Sequence, residues 1–130
     1  MATKVSLAPM LTVMNGAAAV EYYTKAFGAT VLDRIDTPDG QFIIAILSID
    51  GAEFFVSEEA KDNNNVSPET IAGKTTVRLE LEIEDPDTFA KNAIALGAKE
   101  MFPVKDREYG RRDGRIVEPF GHQWVVGRGL

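Results

Sequence analysis

The 130-residue sequence predicts an α+β fold of two tandem β-α-β-β-β modules, forming a curved mixed sheet around a concave trough. Three observations carry this. The order strand, helix, three strands occurs twice. The helix-ending stretches Ala26-Phe27-Gly28-Ala29 and Ala95-Leu96-Gly97-Ala98 stand 69 residues apart. The hairpin glycines Gly51 and Gly121 stand 70 apart, as do Val13 and Ile83, which end the first strand of each half. Agreement of element order, capping and spacing marks an internal repeat. The modules cover about 5–57 and 74–128, joined by a connector at 58–73, in one domain over 1–130.

Each element has a local reason. Leu7–Val13 alternates and reads as a strand, broken by Asn15-Gly16. Ala17–Phe27 reads as a helix with Val20, Tyr23 and Phe27 on one side, and Gly28 stands where a helix-ending glycine belongs. Thr30–Asp36 is a strand, and Pro38-Asp39-Gly40 is a turn. Gln41–Ile49 and Ala52–Ser57 form a hairpin around Asp50-Gly51. Glu58–Gly73 breaks the pattern with an Asn run and Ser67-Pro68, and reads as an exposed connector, mobile at the Asn run. Thr75–Ile83 is a strand. Asp85 caps the second helix, Pro86 suits its first position, and Gly97 ends it. Lys99–Val104, Arg115–Val117 and His122–Val126 are strands, with Lys105–Gly114 as a polar loop and Pro119-Phe120-Gly121 as a turn.

Composition bounds the function. The chain has no Cys, which excludes thiolate metal sites and cysteine nucleophiles and fits a reducing, cytoplasmic setting. A net charge of −6 argues against nucleic acid and is compatible with a cationic ligand. No apolar run approaches the roughly 20 residues of a membrane span, so no membrane partner is expected. A four-stranded module covers one sheet face with its helix and leaves the other open. A trough between two such open faces is a usual place for a ligand.

Period-two alternation puts Arg78, Glu80 and Glu82 on the trough side of the fifth strand, with Leu79, Leu81 and Ile83 under the helix. Ala8, Met10 and Thr12 hold the matching row of the first half, and Phe55, Ser57, Gln123 and Val125 add walls. The Glu80/Glu82 row reads either as a binding site with Glu80 as a general base, or as a solvated row offset by Arg78. Tyr109 with Arg111 or Arg112, in the donor-rich stretch 105–112, reads either as a lid contacting ligand or as an exposed loop. His122 reads either as a ligand or general base, or as a turn residue whose ring packs or hydrogen-bonds locally. Trp124, Tyr22 and Tyr23 read as packing. No His-x-x-Glu-His, phosphate-loop or nucleophile-elbow motif is present, so no cofactor is expected.

Two stretches resemble a known superfamily. Ala18-Ala19-Val20-Glu21-Tyr22-Tyr23-Thr24-Lys25-Ala26-Phe27-Gly28-Ala29 is similar to its first helix. Tyr109-Gly110-Arg111-Arg112-Asp113-Gly114-Arg115-Ile116-Val117-Glu118-Pro119-Phe120-Gly121-His122-Gln123-Trp124 resembles a signature of its PhnB-like branch, with Glu118 in place of the usual Asp. The superfamily is the vicinal oxygen chelate group of glyoxalases, bleomycin-resistance proteins and extradiol dioxygenases. The resemblance implies a homodimer and a divalent metal held from the first and fourth strands of each half. Counting onto this chain, the ligand positions fall on Ala8, Phe55, Arg78 and Val125. Three of these offer no lone pair and the fourth is a permanent cation, so no metal ligand is expected. The resemblance then implies a metal-free small-molecule-binding protein of bleomycin-resistance type, capturing a cationic or polar ligand such as an antibiotic. The alternative is a lyase or dioxygenase, either metal-dependent or metal-free using Glu80 or Tyr109.

Overall fold

The computed structural model describes residues 3–130. Its first half runs β1 (Met10–Val13), α1 (Gly16–Ala26), β2 (Thr30–Asp36), β3 (Phe42–Ile49) and β4 (Ala52–Glu58). Its second half repeats the order as β5 (Arg78–Glu82), α2 (Pro86–Ala95), β6 (Lys99–Asp106), β7 (Arg111–Val117) and β8 (Gln123–Gly129). The two sheets share one topology, β1-β4-β3-β2 and β5-β8-β7-β6, with the first strand of each module parallel to its fourth. The repeat read from glycine spacing is therefore a repeat of structure.

Capping sets both helix starts. The Asn15 side chain accepts from the Ala18 amide at 3.0 Å, and Asp85 accepts from Thr88 at 3.1 Å, satisfying donors that have no partner inside the helix. Gly28 and Gly97, both at positive φ, take the chain out of the helices. β1 is shorter than its alternation suggests, starting at Met10. Pro9 has no amide to give, and only its carbonyl joins the ladder, accepting from Phe55 at 2.9 Å.

One sequence expectation is corrected. The polar stretch 105–114 is mostly strand: β6 and β7 extend into it and leave a tight turn at 107–110, closed by Arg107 N–H to the Arg111 carbonyl at 2.7 Å. The connector is exposed over residues 61–66, as expected, and is locally structured. It carries 3₁₀ turns at Lys61–Asn63 and Pro68–Ile71. The Glu59 carboxylate accepts from the Ser67 amide at 2.8 Å, the Ser67 hydroxyl at 2.7 Å and the Thr70 hydroxyl. Those hydroxyl and amide donors hold its carboxyl down to about 2.

The core lies between the helix-bearing faces of both modules. Phe54 of β4 meets Trp124 of β8 at 5.4 Å, Phe27 meets Phe89 at 4.8 Å, and the Tyr22 hydroxyl donates to the Ala93 carbonyl at 2.7 Å. Trp124, Tyr22 and Tyr23 are core packing, as their positions predict. Close backbone approach fixes Gly114. A Cβ on Gly114 would sit 2.7 Å from the Val104 amide nitrogen and 2.8 Å from the Phe102 carbonyl, where β6 bulges past β7. We expect Gly114→Ala to lower stability by about 1–3 kcal/mol in urea unfolding, as overpacking against backbone does.

Candidate functional site

Because the helix-bearing faces are joined in the core, each sheet turns its other face to solvent. The open face of the second sheet carries Arg78, Glu80 and Glu82 from β5, Gln123 and Val125 from β8, and Arg111, Asp113 and Arg115 from β7. Register places Arg78 beside Gln123, Glu80 beside Val125, and Arg115 across from Val125. The phase read from the sequence holds: Leu81 is buried on the other side, with Leu79 and Ile83 packed against the core.

Charge on this face is organised around Arg111. Its Nη2 lies 2.6 Å from Glu82 and 3.6 Å from Glu80, and its Nε is 3.9 Å from Asp113. The Glu82 carboxyl is held below its ordinary value by the Arg111 hydrogen bond, and the same bond raises Arg111. Arg78, expected to offset the two acids, does not; Arg111 takes that part. Asp113 is buried, accepts from Arg107 Nε at 3.0 Å, and takes the Tyr109 hydroxyl at 3.0 Å to both oxygens. Burial first, then that carboxylate, raises the Tyr109 phenol. Arg112 points to the helix side, pairing with Asp87 at 2.6 Å and Asp106 at 3.0 Å, which leaves Arg111 as the trough residue of the two. Arg107 and Asp113 were missed as site residues because their stretch read as loop, and Arg115, read as the start of a strand, was not assigned to a face. The period-two row Arg111, Asp113, Arg115 was the signal that could have found them.

The open face of the first sheet is different. Met10 pairs with Phe55, Thr12 and Ile44 with Ser57, and Ile46 with Phe55, giving a mostly apolar surface. Met10 on this face is 60% exposed.

The nine expected site residues thus divide between two walls. Met10, Thr12 and Phe55 lie on the first sheet. Arg78, Glu80, Glu82, Arg111 and Gln123 lie on the second, with Tyr109 at its hairpin. Met10 and Gln123 share a cavity of about 790 Å³ with Pro68, Ile71, Val77 and His122. Arg78 and Glu80 line a cleft of about 560 Å³ with Ala8 and Glu53. Tyr109 lines a hollow of about 280 Å³ with Phe102, Asp113, Arg115 and Val125. Thr12, Phe55, Glu82 and Arg111 lie outside these three.

Two residues tie the halves together. His122 Nε2 is 2.8 Å from the Thr12 carbonyl, a long-range bond rather than a local one. A carbonyl only accepts, so Nε2 carries the proton. Burial lowers the imidazole's pKa, which keeps the ring neutral. Glu118, which looked like a mild change in a turn, is 2% exposed and accepts from Tyr23 of the other module.

A metal does not fit the positions the resemblance supplies. Phe55 stands on the apolar wall, Val125 offers only carbon, Ala8 lies in the cleft, and Arg78 brings a guanidinium to it. Glu53 and Glu80, the two carboxylates of the same cleft, share it with that guanidinium and fall short of a ligand set. Among the described residues no three His, Cys, Asp or Glu side chains come together as a ligand set. No helix among them is long and apolar enough to cross a membrane.

Comparison with known proteins agrees with this architecture. An uncharacterized protein of Mycobacterium bovis is 32% identical over 126 residues, 95% of this chain and 82% of that protein. The structure superposes on TioX from Micromonospora sp. ML1 with a TM-score of 0.74 at 25% identity, covering 97% of this chain and 100% of TioX. It also matches the fold of the fosfomycin resistance protein FosX from Listeria monocytogenes, crystallised with Mn(II) and sulfate. There the TM-score is 0.70 at 16% identity, over 100% of this chain and 93% of FosX. The family model of the glyoxalase/bleomycin resistance protein/dioxygenase superfamily matches residues 7–126, and the chain belongs to that superfamily.

Proposed function

We propose that this protein binds a small polar organic molecule, without a metal, in a trough formed between two copies of the chain. The apolar open face of the first sheet of one copy covers the charged open face of the second sheet of the other. Met10, Thr12 and Phe55 form one wall; Arg78, Glu80, Glu82, Arg111, Gln123 and Tyr109 form the other. The observation that carries this reading is the use of both helix-bearing faces inside one chain, which leaves two open faces of unlike character without cover. Aliphatic and aromatic side chains opposite charged donors suit an organic ligand with a polar head. Glu80 and Glu82 already share Arg111, so recognition rests on a mixed polar wall rather than on free carboxylates. Antibiotic capture in the cytoplasm, in the manner of a PhnB-like relative without catalytic metal, is compatible with such a site.

Sedimentation equilibrium and elemental analysis of protein purified without chelator test the reading. We expect twice the chain mass and no stoichiometric transition metal, and Ile46→Asp on the apolar wall should shift the population to monomer. A monomeric wild type removes the two-copy trough. Stoichiometric Zn, Ni, Mn or Fe removes the metal-free assignment.

A further inference from the structure

The ion pairs of the second sheet's open face leave a remainder. Arg107 is taken by Asp113, and Arg111 by Glu82, Glu80 and Asp113. Among the described residues no carboxylate comes within ion-pair distance of Arg78 or Arg115. In formal charge, four guanidiniums (Arg78, Arg107, Arg111, Arg115) face three carboxylates (Glu80, Glu82, Asp113). The wall is therefore locally cationic in a chain of net charge −6.

Arg115 is the more telling of the two. It is half-buried, and its Nε is shut off from solvent with no hydrogen-bond partner. Its one polar contact, Nη1 to Gln123 Oε1, is 3.5 Å, the outer limit of a hydrogen bond. The Phe102 ring lies under its guanidinium at 5.1 Å and restrains it over the 280 Å³ hollow. A half-buried guanidinium without a counter-charge is costly unless a ligand supplies the acceptors. Gln123 stands on β8 beside Arg78, and its amide oxygen faces Arg115, which leaves its amide N–H donors for a third contact.

We propose that Arg78 and Arg115, with Gln123, bind the oxyanion head of a small organic acid, a carboxylate or phosphonate, while Phe102 and Val125 receive its apolar body. This rests on the trough reading above and names the ligand class. The forked guanidinium matches two oxygens of either head group, whereas a cation in the hollow would meet Arg115 and Arg107 directly.

Titration calorimetry of the wild-type protein with benzoate, phenylphosphonate and benzylammonium, at matched low ionic strength, tests it. At least one of the two anions should bind saturably and benzylammonium should not; the stronger anion tells carboxylate from phosphonate. Arg115→Gln and Arg78→Gln should each weaken anion binding about tenfold or more, the worth of one charge-assisted hydrogen bond. Arg115→Lys, which keeps the charge and loses the fork, should show an intermediate loss. Thermal melts establish that each variant is folded. Benzylammonium binding while neither anion does overturns the assignment and leaves the trough reading standing. So does anion binding untouched by all three variants. Failure of every probe to bind overturns both.

Discussion

Glu118→Ala is expected to lower folding stability by about 3–5 kcal/mol, read as a fall in the urea midpoint at constant m-value. The carboxylate is 2% exposed and serves four donors. Oε1 accepts from the His122 amide at 2.9 Å and the Phe120 amide at 3.1 Å, which shapes the turn between β7 and β8. Oε2 accepts from the Tyr23 hydroxyl and, at 3.4 Å, from Trp124 Nε1. Alanine leaves all four without a protein acceptor, and Tyr23, fully buried, has no route to solvent. Leaving a buried donor unpaired costs about 1–3 kcal/mol, more than the net gain from making the bond. Tyr23→Phe removes one donor and keeps the ring packed on Phe54 and Trp124, so it should cost less, about 1–2 kcal/mol. The double variant should cost less than the two singles combined, because both remove the same bond. Equal stability of Glu118→Ala and wild type would mean that the two modules do not depend on this carboxylate.

The fold was legible because its signals are local and come twice. Asp85 caps, Gly28 and Gly97 terminate, and the alternation of Arg78 to Ile83 fixes which side chains face out; none of these needs knowledge of a distant residue. What the sequence hid is long-range. The period-two row Arg111, Asp113, Arg115 is all charged, so it carries no hydrophobic alternation, and its first two members look like loop. It is a strand because β8 pairs with it across its full length. In the connector, one carboxylate, Glu59, gathers donors from eight and eleven residues on, which its local sequence does not announce. His122 was read as local, but its partner is 110 residues away. In the site, the phase of Glu80 and Glu82 was readable and their partner was not: the choice of Arg111 over Arg78 is made by β7, two strands away. Glu118 shows the same limit most clearly, since a Glu for Asp exchange beside a Pro-Phe-Gly turn gives no hint of a buried acceptor shared by both modules.

The same carboxyl should make stability depend on pH. Burial pushes the Glu118 carboxyl from its ordinary 4.5 up to about 7, against its four donors, which pull it down. Below pH 4.5 the group is protonated in both folded and unfolded chains and its favourable contribution is fully present. Between pH 4.5 and 7 the unfolded chain loses this proton while the native protein keeps it, so unfolding releases a proton and stability falls as pH rises. Above pH 7 the contribution is gone, a loss on the order of 3 kcal/mol. His122 opposes this trend. Burial lowers its pKa, so its contribution is lost as pH falls below its ordinary 6.5. Glu59, held near 2, acts only below pH 4.5. Raw wild-type stability against pH therefore mixes these groups, and the comparison that isolates Glu118 is wild type against Glu118→Gln, which retains the others. On going from pH 8 to pH 5 the wild type should gain about 2–3 kcal/mol relative to Glu118→Gln in urea unfolding. Parallel curves for the two proteins would show that the four donors outweigh burial and that Glu118 stays ionised through this range. The module junction would then be joined by a buried anion rather than by a carboxylic acid that gives up its proton near neutrality.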